Sequence, residues 1–476
     1  MGHHKDRRSR NICVIGAGAA GLTSIKSCLE AGFTVTAYEQ MDRIGGLWNI
    51  NSSTTSSTIT NSSSLMSGFS DFPVPSDWPR FLPRHLVIKY LNDYAQYFNL
   101  LPHIHFSCMV MGIEKSGRQY AVTASNSLTG ETQTCLFDGI MVCIGHHTNP
   151  NIPVVPGSQM FAGKILHSKF FDPADYDLMN KRVVVIGSGN SAGDAAVEAG
   201  DNVVLAMRKG NHIIKRTTVN GEPVDELFLR RSTKLTLNII APFRGMRNAL
   251  VRWVNNYLHF DPESYNIPGV RHGILDRQPM INDLLLTKLI SGRLRVMPIQ
   301  SIDRYTKDSI VFVQPDGNKV MIPCDMVIYG TGYTGRSQLV KLIAGDEQFL
   351  YKKIFPPDNM RIGLIGHVDP LGPQFPLMEM QARYFVFMQR KKHPSPEEVN
   401  KSIRKDRMES KRKSNDCITI SWSAYMTRLA KDMDIQPPIG RLFFTNHMVW
   451  RKLFFGPWTA DQYRLFGPRS GVTTNE

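Results

Sequence analysis

The sequence predicts an α/β protein of two parallel-sheet units, the second inserted into the first. Two stretches, NICVIGAGAAGLTSIKSCLEAGFTVTAYEQ from Asn11 and KRVVVIGSGNSAGDAAVEAGDNVVLAMRKG from Lys181, share one plan: an apolar β-branched run, a glycine turn, a small-residue helix and a second apolar run. Two more apolar runs, GIMVCIGHH at 139–147 and DMVIYGTGY at 325–333, each end in a glycine turn, as expected where a chain crosses between units. The 476 residues suffice for two or three domains with a large core. The expected division is an outer unit in two pieces, 1–168 and 326–476, around an inner unit at 169–325 with a helical insertion at about 211–295.

In the first stretch Val14 and Ile15 end a strand, Gly16, Gly18 and Gly21 form G-x-G-x-x-G, and a helix starts at Ala19 or Ala20 and ends near Gly32. The three glycines serve a tight turn, close backbone approach to a pyrophosphate, and close packing of helix on strand. Glu39 closes the second strand 18 residues past Gly21, where a carboxylate accepts hydrogen bonds from both ribose hydroxyls of a dinucleotide. Glycine turns also serve plain strand-to-helix connections; strand, turn, helix, strand and acid in register argue against that reading here. DRIGGLWN at 42–49 follows at once, with Gly45 and Gly46 permitting close approach to a bound group and Leu47 and Trp48 supplying apolar cover. Without the unit before it, this segment is an ordinary turn.

The second stretch has Gly187, Gly189 and Ala192 in G-x-G-x-x-A, with Gly193 following. Its second strand ends in Arg208 and Lys209 instead of an acid. A carboxylate there repels a ribose 2′-phosphate, whereas a guanidinium binds it through two charge-assisted hydrogen bonds. Arg208 is otherwise a solvated residue after a strand. Both motifs are thus Rossmann-like dinucleotide-binding units with opposite ribose preferences, which points to electron flow from NADPH to FAD.

Here the sequence resembles the flavin-containing monooxygenases. FAGKILHS fits F-x-G-x-x-x-H-S through Phe161, Gly163, His167 and Ser168. MVIYGTGY at 326–333 matches the family's second linking element, usually written with Ala where Gly330 stands. TNSSSLMSGFSDFP from Thr60 is similar to the family's loop bearing an asparagine beside the flavin, and KLFFGPWTADQYRLFGP matches near the C-terminus. The resemblance covers about residues 10–468. It implies an NADPH domain inserted into an FAD domain, with FAD and NADPH as cofactors and no metal site. The implied cofactor-binding residues are Gly16, Ala17, Gly18, Ala19, Ala20, Gly21, Glu39, Gly46, Leu47, Trp48, Thr60, Asn61 and Ser62 in the first unit. Gly187, Gly189, Asn190, Ser191, Ala192, Gly193, Asp194, Arg208 and Gly332 complete the set.

The implied activity is oxygenation of soft nitrogen or sulfur nucleophiles, as in xenobiotic metabolism. NADPH reduces FAD, O2 adds at carbon 4a, and the hydroperoxide transfers its distal oxygen while the bound oxidised nicotinamide shields it from water. Asn61 is the one side chain assigned to the oxygenation step, its amide donating to the peroxide or a neighbouring water. On residue type alone, an asparagine among serines is a turn residue. His167 is expected to order the domain junction. Two alternatives stand beside this reading: Baeyer–Villiger oxygenation of ketones, and an uncoupled NADPH oxidase. The Baeyer–Villiger linker typically continues after its histidine to a Trp, whereas HSKFFDP here supplies Phe170 and Phe171.

The formal charge of +15 raises a nucleic-acid or anionic-membrane partner. Much of it lies in residues 390–413, where acids alternate and aromatics are missing, so a solvated helical face is expected and no nucleic acid; acidic lipid headgroups are the alternative for ESKRKS. LTLNIIAPFRGMRNALVRWVNNYLHF, from Leu235, reads either as a core helix pair or as a lid leaning on a membrane. Seven scattered cysteines with no C-x-x-C exclude the dithiol of a flavin disulfide reductase and point to a reducing compartment. That compartment argues against glycosylation at the triplets beginning at Asn51 and Asn61. MGHHKDRRSR has no apolar run for a secretory signal, and Asp6 breaks the myristoylation pattern. No stretch reaches the roughly 18 apolar residues that span a bilayer. The expectation is a protein of the cytoplasm, or one held peripherally at the endoplasmic reticulum membrane, monomeric or a homo-oligomer.

Overall fold

The computed structural model describes residues 9–49, 54–240, 262–270, 277–333, 338–344, 349–413 and 419–466. The first motif folds as expected: strand Asn11–Ile15, helix Ala19–Glu30, strand Thr34–Tyr38. These strands sit inside a five-stranded parallel sheet whose order is Ile362–Leu364, Gly139–Val142, Asn11–Ile15, Thr34–Tyr38, Ile104–His105. The second motif gives Val183–Ile186, Asn190–Glu198 and Val203–Met207. Its parallel sheet runs Leu294–Pro298, Val203–Met207, Val183–Ile186, Met326–Tyr329, Lys164–His167.

Alternation along each central strand explains the unbroken apolar runs. Ile12 and Val14 pack into the helical layer, whereas Cys13 and Ile15 face the core under the antiparallel strands Cys108–Ser116, Gln119–Asn126 and Thr132–Phe137. In the second unit Val183 and Val185 face the helices, and Val184 and Ile186 face the antiparallel sheet Ser301–Tyr305, Ser309–Val313 and Lys319–Pro323. Both faces of each sheet are covered, so apolar residues fill the buried positions of these strands.

The sheets correct the expected boundaries. Lys164–His167 and Met326–Tyr329, expected in the two outer pieces, are neighbours in the inner sheet, paired in register from Met326 with Lys164 to Tyr329 with His167. The reason is that Met326–Tyr329 fills the space between two other strands, and the glycine turn that leaves the unit comes after it. The chain therefore crosses ahead of Lys164 and beyond Tyr329. Within 211–295 the described residues include the helices Val224–Phe228 and Arg231–Ile240, a short parallel pair of Ile213–Ile214 with Met280–Ile281, and the edge strand Leu294–Pro298. Of the apolar segment from Leu235, residues 241–260 lie outside the described residues, as does Asn51.

Over 396–408 helix Pro396–Lys413 is solvated, with Val399, Ile403 and Asp406 buried along one narrow stripe; the side chains of ESKRKS lie outside the described residues. No helix among the described residues is long and apolar enough to cross a membrane. Among those residues Cys13, Cys28, Cys143 and Cys324 are free and buried, and burial pushes the Cys28 and Cys143 thiols up, the latter to about 12, as for small core side chains.

Candidate functional site

The first glycine turn is shaped by contacts that a side chain would break. Gly16 has φ +99°, and a Cβ on it would lie 2.7 Å from the Cys143 carbonyl oxygen; one on Gly21 would lie 1.9 Å from the Gly16 oxygen. Gly46, at φ +57°, faces Gly18 so closely that a Cβ would stand 3.2 Å from the Gly18 Cα, and the Gly45 N–H donates to Ala17 O at 3.1 Å. The expected cofactor residues at 16–21 and 45–48 are thus brought together. Helix Ala19–Glu30 begins on Gly18 with no side-chain cap, which suits its first N–H groups to an anion. Glu39 lies at the far end of the turn, its carboxylate accepting from Ala17 N at 2.6 Å and Met41 N at 2.9 Å, and burial raises its pKa.

The second turn has the same construction. A Cβ on Gly187 would lie 2.2 Å from Gly330 O, and one on Gly330 would lie 2.6 Å from both Cα and Cβ of Ala192. Gly189 faces open space and caps helix Asn190–Glu198 without a side-chain hydrogen bond. Arg208, exposed, follows strand Val203–Met207, whose Ala206 carbonyl accepts from Gly187 N at 3.1 Å. Three of the expected residues turn toward the 278–282 segment. The Asn190 Oδ1 accepts from Ile281 N at 2.7 Å, Gly193 packs on Met280, and Asp194 accepts from Asn282 Nδ2 at 2.9 Å. Ser191 is exposed.

His167 is fully buried at the junction. Its Nε2 bonds Gly332 O at 2.8 Å while Nδ1 accepts from Lys169 N at 3.1 Å, which assigns the proton to Nε2 and the neutral form; burial lowers its pKa accordingly. Gly332, at φ +73°, also accepts from Asn151 N at 2.9 Å.

Between the units lies the serine-rich loop, and here the structure adds residues that sequence reasoning missed. Charged side chains of the inserted unit hold the loop along its length. Asp172 accepts from Ser56 N and Oγ, each at 2.8 Å, and Glu198 Oε1 accepts from Ser57 Oγ at 2.5 Å and Thr55 Oγ1 at 3.2 Å. Arg216 donates to Thr60 O at 3.0 Å and Asn61 Oδ1 at 2.9 Å, and Asp225 accepts from Ser63 N at 2.8 Å. Burial raises both carboxyls, Glu198 to about 7 and Asp225 to about 6, with hydrogen bonds from Ser57 and Ser63 pulling the other way. Nothing local marks these partners, because Ser57 and Glu198 are 141 residues apart.

The residues from 9 to 473 match the family model of flavin-binding monooxygenase-like proteins. The chain belongs to that family. Flavin-containing monooxygenase 5 of Rattus norvegicus is 35% identical over 96% of this chain and 89% of its own length. Flavin-containing monooxygenase 2 of Homo sapiens is 32% identical over 97% and 89%. The Oryctolagus cuniculus relative named dimethylaniline monooxygenase [N-oxide-forming] 2 is 34% identical over 97% and 89%. Two solved structures share the fold. S-allyl-L-cysteine S-oxygenase from Allium sativum has TM-score 0.64 at 21% identity, over 94% of this chain and 93% of that one. NADP+-bound cyclohexanone monooxygenase from Rhodococcus sp. Phi1 has TM-score 0.63 at 16% identity, over 89% and 97%. This flavin-binding monooxygenase is an oxidoreductase dependent on FAD and NADPH, with the NADPH domain inserted into the FAD domain.

Proposed function

We propose that the protein oxygenates soft nitrogen or sulfur nucleophiles of small molecules, using O2 and NADPH by way of a C4a-hydroperoxyflavin. The observation that carries this is the Asn61 loop, held by Asp172, Glu198, Arg216 and Asp225 of the inserted unit, in a chain with a glycine turn in each parallel-sheet unit. The N-oxide-forming name of the rabbit relative supports nitrogen as acceptor. Per turnover, one NADPH, one proton and one O2 give NADP+, water and the oxygenated substrate.

The residues present fit both cofactors. The close backbone contacts at Gly16, Gly18, Gly21 and Gly46 leave no room for side chains in the turn, and the uncapped helix at Ala19 would offer N–H groups to the FAD pyrophosphate. Glu39 would hold the ribose hydroxyls, Leu47 and Trp48 would cover the flavin, and Thr60, Asn61 and Ser62 would line its site. The turn at Gly187, Gly189 and Ala192 would take the NADPH pyrophosphate, with Arg208 to bind the 2′-phosphate. Bound FAD supplies the oxygen activation. The protein's part is to orient, to exclude water, and to place the Asn61 NH2 as a hydrogen-bond donor.

Asn61→Ala is expected to keep FAD and to lose oxygenated product by about 10²-fold or more, with NADPH oxidation continuing into peroxide. Product and peroxide measured per NADPH check it; undiminished coupling removes Asn61 from the mechanism. For the whole reading, the anaerobically NADPH-reduced enzyme is mixed with oxygenated buffer in a stopped-flow spectrometer. A long-lived oxygenated-flavin spectrum, discharged faster by a tertiary amine or thioether, is expected. Direct return to oxidised flavin with stoichiometric peroxide overturns the monooxygenation.

Peripheral contact with a lipid surface is part of the same reading. The helices Ile439–Thr445 and His447–Phe455 carry Arg441, Arg451 and Lys452 and no acid, and expose Phe444 at 86% and Met448 at 84%. Exposed aromatic and basic side chains on two acid-free helices suit an anionic interface. Sedimentation with phosphatidylserine-containing vesicles is expected, and should be lost in Phe444→Ser/Met448→Ser; equal binding by that variant refutes this face.

A further inference from the structure

We propose that Arg216, on the NADPH domain, is the positioning residue that decides which way the Asn61 amide faces, an inference that rests on the role of Asn61 proposed above. Arg216 is 7% exposed and every nitrogen of its guanidinium has a described partner. Nη1 pairs with Asp283 Oδ2 at 2.7 Å, Nε donates to Thr60 O at 3.0 Å, and Nη2 donates to Asn61 Oδ1 at 2.9 Å. Its backbone N–H donates to the other Asp283 oxygen at 2.8 Å, so the side chain is held at both ends.

The chemistry of the two groups settles the rest. A primary amide has an accepting half and a donating half of nearly equal size, and a turn of the side chain exchanges them. A guanidinium only donates. Whichever half of Asn61 faces Arg216 must therefore be the oxygen, and the NH2 is the half presented away from it. A donor is what stabilises developing negative charge on an oxygen, so Arg216 acts on the reaction through Asn61 without touching the reacting atoms. The fork geometry matters as much as the charge, since one planar group holds the Thr60 carbonyl and the Asn61 oxygen together.

A second consequence concerns the two domains. Arg216 follows strand Ile213–Ile214 of the inserted unit, whereas Thr60 and Asn61 belong to the FAD unit. The donor orientation is thus available only while the two units are in contact. An enzyme whose units part loses the donor before it loses FAD, since none of the glycine contacts at 16–21 involves the inserted unit.

The test uses the holoenzyme and the variants Arg216→Lys, Arg216→Met, Asn61→Ala and Asn61→Ala/Arg216→Lys. Lysine keeps a cation opposite Asp283 but replaces the fork by a single nitrogen, so Arg216→Lys decides the matter if Arg216→Met fails to fold. Arg216→Lys is expected to retain FAD and to be reduced by NADPH at close to the parent rate. Peroxide released per NADPH should rise about tenfold, and the oxygenated-flavin absorbance should decay correspondingly faster. In the resting enzyme, amide hydrogen exchange across residues 54–63 should quicken. The double variant should be no worse coupled than Asn61→Ala alone, because the two residues act as one unit. Additive losses overturn the inference. So does Arg216→Lys with parental coupling and adduct lifetime while Asn61→Ala is uncoupled; in that case the proposed function stands. Full coupling in Asn61→Ala removes the role of Asn61 and this inference with it.

Discussion

Gly330→Ala is expected to disrupt the second nucleotide turn, and adding Ala192→Gly is expected to restore it only in part. The new Cβ would lie 2.6 Å from Cα and Cβ of Ala192 and 2.9 Å from its backbone nitrogen, at the start of helix Asn190–Glu198. Neither side yields easily: Gly330 N is hydrogen-bonded to Ile186 O at 2.8 Å, and Ala192 N to Gly189 O at 3.1 Å. Overpacking against backbone costs about 3 kcal/mol, enough to lower the thermal midpoint and raise the KM for NADPH by an order of magnitude or more. Ala192→Gly alone removes a buried methyl and adds a helical glycine, for roughly 1 kcal/mol. In the double variant the clash with the Ala192 methyl is gone while those with the Cα and nitrogen of residue 192 remain, so the midpoint should recover only in part. A Gly330→Ala protein with parental stability and KM, or a double variant as poor as Gly330→Ala, refutes the account. The glycine at 330, a departure from the family's usual alanine, and the alanine at 192 thus form one complementary pair.

Glu379→Gln should destabilise the FAD unit by about 3–5 kcal/mol. Glu379, 2% exposed in helix Gln374–Arg390, accepts from Ser70 N at 2.7 Å and Arg464 Nη2 at 2.9 Å and lies 3.9 Å from Arg383 Nη1. Asp71 pairs with Lys26 and, at 2.7 Å, with Arg464, while Glu30 lies 2.6 Å from Lys26 and 3.6 Å from Arg464. Three cations face three carboxylates, so neutralising one acid leaves a buried positive charge without its counterion. The cluster also gives an acid limit. Glu379 is held down to about 2, chiefly by Arg464 and Arg383 acting against burial. A carboxyl whose folded pKa lies below its ordinary 4.5 stabilises the fold above that value and loses the contribution as pH falls toward 2. Asp71 moves the other way, raised by burial and by Glu379, so it takes up its proton first. Denaturant melts from pH 7 to 3 should show a steep acid loss in the parent and a shallower one from a lower plateau in Glu379→Gln. Parallel curves at equal stability would contradict this role.

What was legible in the sequence was local. Gly16, Gly18 and Gly21 stand where a turn and a helix meet a strand, Glu39 and Arg208 follow second strands, and each signal lies within one supersecondary unit. The boundary error at Lys164–His167 and Met326–Tyr329 has the opposite origin. A strand of four residues does not say which sheet it joins, and that choice is made by neighbours far along the chain. The loop at 54–63 has a low-complexity composition, yet its hydroxyls and N–H groups are held by Asp172, Glu198, Arg216 and Asp225. Those four look like ordinary charged residues, since their partners lie more than a hundred positions away. Gly193, Asn190 and Asp194 were expected as cofactor-binding residues through the family resemblance, whereas their contacts with the 278–282 segment depend on a strand pairing with no local signature.

The paired strands Lys164–His167 and Met326–Tyr329 have a consequence for modularity. The chain enters and leaves the NADPH unit side by side, and just outside it Pro150 bridges Tyr333 and Asn151 N bonds Gly332 O at 2.9 Å. The chain therefore leaves and re-enters the outer unit at one place, the arrangement that lets a whole domain be exchanged between relatives without rethreading either partner. Such a graft carries Glu198 and Arg216 with it and leaves Ser57 and Thr60 behind. A hybrid enzyme thus needs its chain matched at two junctions, but its loop matched at every one of those cross-domain contacts.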